Sequence, residues 1–263
     1  MSKTQRFETG INYSRFHFRQ DVQSYYYDNI GNLLLVGDRE KQDNAPPGFN
    51  LYNGSLAYVS DNSVFGLTAP LAGHRFRIGI EQYFGIADFT AATIDYRKYQ
   101  RLKPISLAFR ALHYARFGAG ANALPTLFAG DPSFVRGYHF NAINQTLQEN
   151  NLSFNQLTGN KLLVTNFEIR LPFTGPEGLA AVKSKLLFSD LALFFDAGIA
   201  FDQYRELLGD DSIPSSQSAK PVLSTGVSMR INLFGVLILE PYYALPLQQN
   251  TRGVFGINIL PGW

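Results

Sequence analysis

The sequence predicts an all-β fold: an antiparallel transmembrane β-barrel of about ten strands with one long loop. Segments of about ten residues alternate apolar and polar side chains, as membrane-spanning strands do. The 263 residues include 22 Phe, 14 Tyr and 23 Gly, a composition that favours strands and turns over helices. No apolar run approaches the ~20 residues of a membrane helix, and the alternating strands of a membrane barrel leave no such run.

The first half of the chain contains five predicted strands and one predicted loop. In the third predicted strand, residues 74–84, the side chains of Phe76, Ile78 and Ile80 share one face. Arg75 and Arg77 point to the opposite face. The polar residues 28–48, which end in Ala-Pro-Pro-Gly, predict a long loop between the first two strands. The five strands are predicted at residues 7–27, 49–60, 74–84, 88–100 and 105–117.

A long segment at residues 118–160 interrupts the alternation. It is rich in Gly, Asn and Pro, and loops of this length in compact domains are often functional. At its centre, Arg136 stands between apolar neighbours and beside Gly137, which permits a sharp turn. Such an arginine suits burial against carboxylates better than a solvated loop tip. A disordered surface loop is the alternative interpretation.

Five more strands are predicted after this loop, and two of them carry inward-facing carboxylates. Glu168 lies on the face opposite Phe167 and Ile169. Asp196 likewise lies opposite Phe195. Because bare charges are costly in an interior, these two carboxylates are expected to have partners. The strands are predicted at residues 161–173, 186–203, 222–234, 236–245 and 253–263.

The connections favour a membrane barrel over a soluble one. Short links at residues 66–73, 101–104 and 235 alternate with long ones at 28–48, 118–159 and 204–220, as turns and outer loops do in membrane barrels. The short link at 85–87 and the longer one at 174–185 depart from this alternation. A soluble antiparallel barrel or sandwich also alternates, so it stays the alternative on pattern alone.

Signatures of catalysis and of nucleic-acid binding are not found. The four histidines have no metal-ligand spacing, and no phosphate-binding loop or nucleophile elbow occurs. A net charge of +2 leaves no basic footprint for nucleic acid. With no cysteine, thiol chemistry and disulfides are excluded. We therefore expect no enzyme activity, no metal or cofactor, and no nucleic-acid partner.

Four stretches of the sequence resemble motifs of the BamA/TamA outer-membrane barrel superfamily, also called bacterial surface antigens. They occur along the chain in the same order as in that superfamily. They are the loop motif Gly130, Asp131, Val135, Arg136, Gly137 and Tyr138; the strand at residues 166–172; the strand motif Phe194, Phe195, Asp196 and Gly198; and the C-terminal signal Phe255, Ile257, Ile259 and Trp263. The resemblance covers about residues 7–263 and is specific from Gly118 onward.

The resemblance implies a fold and a site. Such barrels have sixteen strands, with a signature loop between the eleventh and twelfth. Residues 118–160 correspond to this signature loop. Five predicted strands follow the loop here and about five precede it, so residues 1–263 are expected to be the C-terminal part of the barrel, with upstream strands and periplasmic domains outside the sequence. The loop is expected inside the lumen, with Arg136 against Asp196, Glu168 nearby and Phe194 beside the guanidinium. Alternatively, both carboxylates face a wet pore and Arg136 is solvated outside.

The resemblance also implies a function. It places the protein in the bacterial outer membrane, where it assists the insertion or translocation of proteins. The alternative is a secretion pore or a structural barrel that anchors a separate or fused periplasmic or enzymatic partner. The expected partners are the lipid bilayer, other membrane or periplasmic proteins, and substrate polypeptides.

Overall fold

The computed structural model describes residues 4–138, 153–208, 218–248 and 252–261, and the secondary structure there is almost entirely strand. Two short 3-10 turns, at Phe154–Leu157 and Tyr204–Leu208, are the exceptions in these ranges. Within them, no helix is long and apolar enough to cross a membrane. The strands are β1 Gln5–Phe16, β2 Gln20–Tyr27, β3 Leu33–Gln42, β4 Phe49–Asp61, β5 Val64–Phe65, β6 Pro70–Gly85, β7 Phe89–Leu102, β8 Ile105–Phe117, β9 Leu127–Phe128, β10 Thr158–Gly159, β11 Lys161–Gly175, β12 Val182–Lys183, β13 Phe188–Phe201, β14 Val222–Leu233, β15 Leu237–Pro246 and β16 Val254–Pro261.

One large sheet contains twelve strands, and the short strands β5 and β12 pair at its margin with β6 and β11. The other ten strands pair antiparallel in the order of the chain: β1, β4, β6, β7, β8, β11, β13, β14, β15 and β16. Five precede the signature loop and five follow it, which confirms the predicted all-β antiparallel architecture and strand count. The sheet is open in the described residues, because no pairing joins β1 to β16.

The two faces of the sheet separate apolar from charged side chains. On β13, Leu193 and Phe195 are exposed, whereas Asp190, Phe194 and Asp196 are buried. The same period of two recurs on the neighbouring strands β11 and β14. The outer face thus resembles the lipid-contacting face of a membrane barrel, and the inner face carries the charges.

The region between β1 and β4 departs from the sequence prediction. Residues 7–27 are not one strand, and residues 28–48 are not simply a loop: β2 and β3 form a separate two-stranded hairpin. Tyr25 lies opposite Val36 and Tyr26 opposite Leu35, and such aromatic–aliphatic pairs stabilise a hairpin. Asp28 holds the turn by accepting hydrogen bonds from two nearby backbone N–H groups. The polar and glycine-containing composition of the segment obscured these pairs.

A second segment, residues 62–70, lies across the inner face and is called the crossing turn here. It links β4 to β6 yet reaches strands far away in the sheet. Thr68 Oγ1 donates a hydrogen bond to Asp190 on β13. Asn232 Nδ2 on β14 donates to the carbonyl of Leu67 at 2.8 Å. The sheet is therefore bridged from the inside at the end opposite the signature loop.

Candidate functional site

The first part of the signature loop packs on the inner face of the sheet. Val135 and Tyr138 are fully buried, and the Tyr138 hydroxyl donates a hydrogen bond to the Leu223 carbonyl at 2.8 Å. Burial raises the pKa of this hydroxyl above its ordinary value. Both side chains belong to one apolar cluster, which joins the loop to β8, β11, β13 and β14; its buried members are Leu112, Ala129, Val135, Tyr138, Leu157, Leu162, Val164, Ala200 and Val222.

Arg136 is the charged centre of this contact, and its closest partner is Asp196 on β13. Nε donates to Asp196 Oδ2 at 2.7 Å and Nη2 donates to Oδ1 at 2.8 Å, which is the two-pronged geometry that guanidinium and carboxylate favour. The backbone N–H of Arg136 adds a third bond to Oδ2 at 3.2 Å. The Asp196 side chain is 0% exposed, so water does not share this carboxylate.

Two more carboxylates complete the surroundings of Arg136. Nη2 lies 2.8 Å from Glu168 Oε1 on β11. Nη1 donates to Glu240 Oε1 on β15 at 3.1 Å. One side chain of the loop thereby ties three wall strands together. Burial by itself lowers the pKa of Arg136, but the surrounding carboxylates outweigh it and raise the pKa above its ordinary value.

An aromatic ring covers the guanidinium. The Arg136 Cζ atom lies 3.7 Å from the ring centroid of Phe194, a cation–π contact in a buried site. Gly226 on the adjacent strand makes room for this ring, because a Cβ there would lie 2.8 Å from Phe194 Cζ. The expected neighbours Asp196, Glu168 and Phe194 therefore all surround Arg136.

The wall supplies its own cations to the same carboxylates. Arg170 Nε lies 2.6 Å from Glu168 Oε2. Arg230 Nη2 lies 2.9 Å from both Glu168 and Glu240. Three buried arginines thus face three buried carboxylates. Of the three carboxylates, only Asp196 receives most of its hydrogen bonds from the loop. Asn166 Nδ2 is its additional donor, at 2.9 Å.

Glycines allow the loop to approach the wall. A Cβ at Gly198 would lie 2.8 Å from both the carbonyl oxygen of Ala129 and Val135 Cγ2, so this position must be small. Gly137 has a φ of 95°, in the left-handed region that glycine adopts readily. A side chain there would also meet Ala244 at 2.8 Å. These contacts give a physical reason for the glycines of both motifs.

The remaining motif residues lie away from the ion network. Asp131 shapes the loop: its Oδ1 accepts the Ser133 N–H at 2.9 Å, and its carbonyl accepts the Val135 N–H at 2.9 Å. Gly130 also belongs to this bend, where Phe128 and Tyr138 leave little space for a Cβ. The C-terminal signal residues Phe255, Ile257 and Ile259 are exposed on the outer face of β16, and Trp263 lies outside the described residues.

Sequence reasoning missed three members of the network: Arg170, Arg230 and Glu240. Glu240 is the sole charged residue of its predicted strand, residues 236–245, and this signal was available. Pro241, the next residue, has no backbone N–H to donate to a neighbouring strand. The structure keeps β15 as one strand, but its pairing with β14 is interrupted at Glu240 and Pro241. Among the described residues, no group of three or more His, Asp or Glu side chains could hold a metal ion.

Comparison with models of protein families identifies a family for this chain. The family model described as the Omp85 superfamily domain matches residues 1–255, which is nearly the whole chain. No curated protein matches the chain. The family match spans the ten-strand sheet up to β16, the signature loop and all six charged residues of the network.

Proposed function

Because this chain belongs to the Omp85 superfamily, we propose that it forms part of a barrel of the BamA/TamA type that assists the insertion or translocation of polypeptides at the bacterial outer membrane. Superfamily members are bacterial outer-membrane β-barrels and generally serve transport or assembly. The proposal gives no residue a catalytic role. The partners it requires are the lipid bilayer, a substrate polypeptide and other membrane or periplasmic proteins.

The observation that carries the proposal is the attachment of the loop to the wall through Arg136. Its guanidinium contacts carboxylates on β11, β13 and β15. These strands are not all neighbours, because β14 lies between β13 and β15. A contact of this kind holds the curvature of the wall while a polypeptide passes or inserts beside it. We therefore assign the loop a bracing role.

We also propose that residues 1–263 form a single barrel domain and that further strands complete its wall. The edges of β1 and β16 are unpaired in the described residues, and unpaired edges are not tolerated in a lipid environment. Six additional strands next to these edges would give the sixteen of the superfamily. Upstream periplasmic domains would then receive the substrate.

The proposal is tested by reconstituting the full-length protein that carries this chain into lipid vesicles. A urea-denatured small outer-membrane barrel is added, and its folding is followed by its altered gel migration without boiling. Insertion well above that in empty vesicles supports the proposal. Transport of an unfolded polypeptide into the vesicle without insertion supports the translocation part of the proposal, which a secretion pore shares. If neither occurs while the protein itself is folded, the anchoring role is favoured and the proposal is wrong.

A further inference from the structure

A cavity lined by arginines and by apolar side chains lies on the inner face, between the crossing turn and the wall. Its volume is about 280 Å³, enough for about nine water molecules at ~30 Å³ each. The turn supplies one side of it through Thr68 and Pro70. Arginines supply the other side from four different strands: Arg75 on β6, Arg97 on β7, Arg170 on β11 and Arg230 on β14.

The four guanidiniums are held in place by carboxylates outside the cavity. Arg75 lies 3.6 Å from Asp61, and Arg97 lies 2.7 Å from Asp95. Arg170 and Arg230 are held by the Glu168 carboxylate described above, and their side chains are only 10% and 9% exposed. The cavity thus has a built inner wall, and its cations are positioned before any ligand arrives.

All the charged side chains that line the cavity are cationic. Among the described residues that line the cavity there is no Asp or Glu, although each arginine has a carboxylate partner outside the lining. A guanidinium has five N–H donors, more than these ion pairs use. Asp190, a further buried carboxylate, accepts a hydrogen bond from the lining residue Thr68. The surface that a ligand would meet therefore consists of guanidinium donors and hydroxyl groups set among apolar side chains.

We propose that this cavity binds a phosphate-type oxyanion. A planar carboxylate is satisfied by one arginine in a two-pronged pair. Arginines that line one cavity from four strands suit an anion that accepts hydrogen bonds in several directions, as tetrahedral phosphate does. The phosphate can come from free phosphate or from a phospholipid headgroup, since both present the same oxygens. Bound there, the anion links the crossing turn to four strands of the wall.

Two variants and a matched control test the site. Arg75→Gln and Arg97→Gln each remove one lining cation, and neither residue contacts Arg136. Asp95 keeps Arg110 as a partner, at 3.0 Å, when Arg97 is lost. The control is Arg77→Gln: Arg77 lies on the same strand as Arg75 and is similarly exposed, 35% against 32%, but does not line the cavity. Altered gel migration without boiling shows that each variant is folded.

The measurement is calorimetric titration of the folded, detergent-solubilised protein at constant ionic strength. One arm uses inorganic phosphate, and the other uses glycerophosphoglycerol as a soluble headgroup. We expect saturable phosphate binding that weakens about tenfold in each lining variant and by less than about twofold in the control. Binding of both probes identifies a headgroup site, and binding of inorganic phosphate alone identifies free phosphate. If neither probe binds saturably, or if the control weakens as much as the lining variants, the proposal is overturned.

Discussion

Replacing Arg136 with alanine removes the cation that three buried carboxylates share, but their losses are unequal. Glu168 keeps Arg170 and Arg230 as partners. Glu240 keeps Arg230, and it also accepts from Ser228 Oγ at 3.0 Å. Asp196 loses its two-pronged pair and retains mainly the Asn166 amide. The effect of Arg136→Ala is therefore concentrated at one carboxylate on β13.

The magnitude follows from the burial of that pair. Breaking a buried ion pair by removing one partner costs about 3–5 kcal/mol, whereas an exposed pair contributes about 0–1 kcal/mol. The Arg136 and Asp196 side chains are 6% and 0% exposed, which puts the pair in the buried class. We expect the docked loop to lose about 3 kcal/mol or more, which raises its undocked population on the order of a hundredfold. Arg136→Lys should recover part of this loss, because an ammonium cannot form the fork.

The undocked population can be measured by thiol labelling, because the protein has no cysteine of its own. A Val135→Cys substitution places a thiol at a fully buried loop position next to Arg136. Its labelling rate reports how often the loop leaves the wall. The matched control is Arg77→Ala, which breaks a half-exposed pair with Glu8 and leaves the loop untouched.

The expected order of labelling rates is Arg136→Ala, then Arg136→Lys, then the control, with the control equal to the parent. The strand content should stay unchanged in circular dichroism, because the ladder hydrogen bonds of the sheet do not involve Arg136. A labelling rate in Arg136→Ala that equals the parent rate would refute the reasoning that this guanidinium holds the loop.

Three further predictions concern other parts of the fold. Gly198→Ala should weaken loop docking by about 1–3 kcal/mol through overpacking. Gly54→Ala, with open space around the added Cβ, should leave the labelling rate at Val135→Cys unchanged. Equal effects of the two substitutions on that labelling rate would contradict this prediction. Asn232→Ala should lower the free energy of unfolding by about 1–3 kcal/mol, since the carbonyl of the crossing turn loses its donor, and an unchanged urea midpoint would show that this bridge is unimportant. Single cysteines at Asn29 and Lys103 should be labelled from opposite sides of the membrane, the first on intact cells and the second only after permeabilisation; labelling of both on intact cells would exclude the barrel topology.

The sheet was predictable because each strand is encoded by the alternation of apolar and polar residues within its own segment. A period of two places Glu168 and Asp196 on the same inner face whatever the neighbours of each strand are. Strand order then follows from short antiparallel connections. The β2–β3 hairpin was missed for a local reason too: its stabilising Tyr–Val and Tyr–Leu pairs lie within a segment whose overall composition is polar.

The network around Arg136 was only half predictable from the sequence. Partners on β11 and β13 followed from the motifs and from strand parity. Glu240 on β15 did not, because its distance from Arg136 depends on the curvature of the sheet across β14. The contact of the crossing turn with Asp190 was likewise not predictable from the sequence. Thr68 and Asp190 are 122 residues apart, and no periodic pattern in the sequence encodes a contact across the lumen.

The bracing role of the loop is tested most directly by the insertion rate of the Arg136→Ala protein. The full-length variant and the Arg77→Ala control are reconstituted at equal amounts of folded barrel, and folding of an added outer-membrane client is followed over time. We predict a clear fall in the insertion rate of Arg136→Ala, partial recovery in Arg136→Lys, and a normal rate in the control. Unchanged insertion by Arg136→Ala, in a protein whose Val135→Cys labelling shows that the loop has been released, would contradict the bracing role.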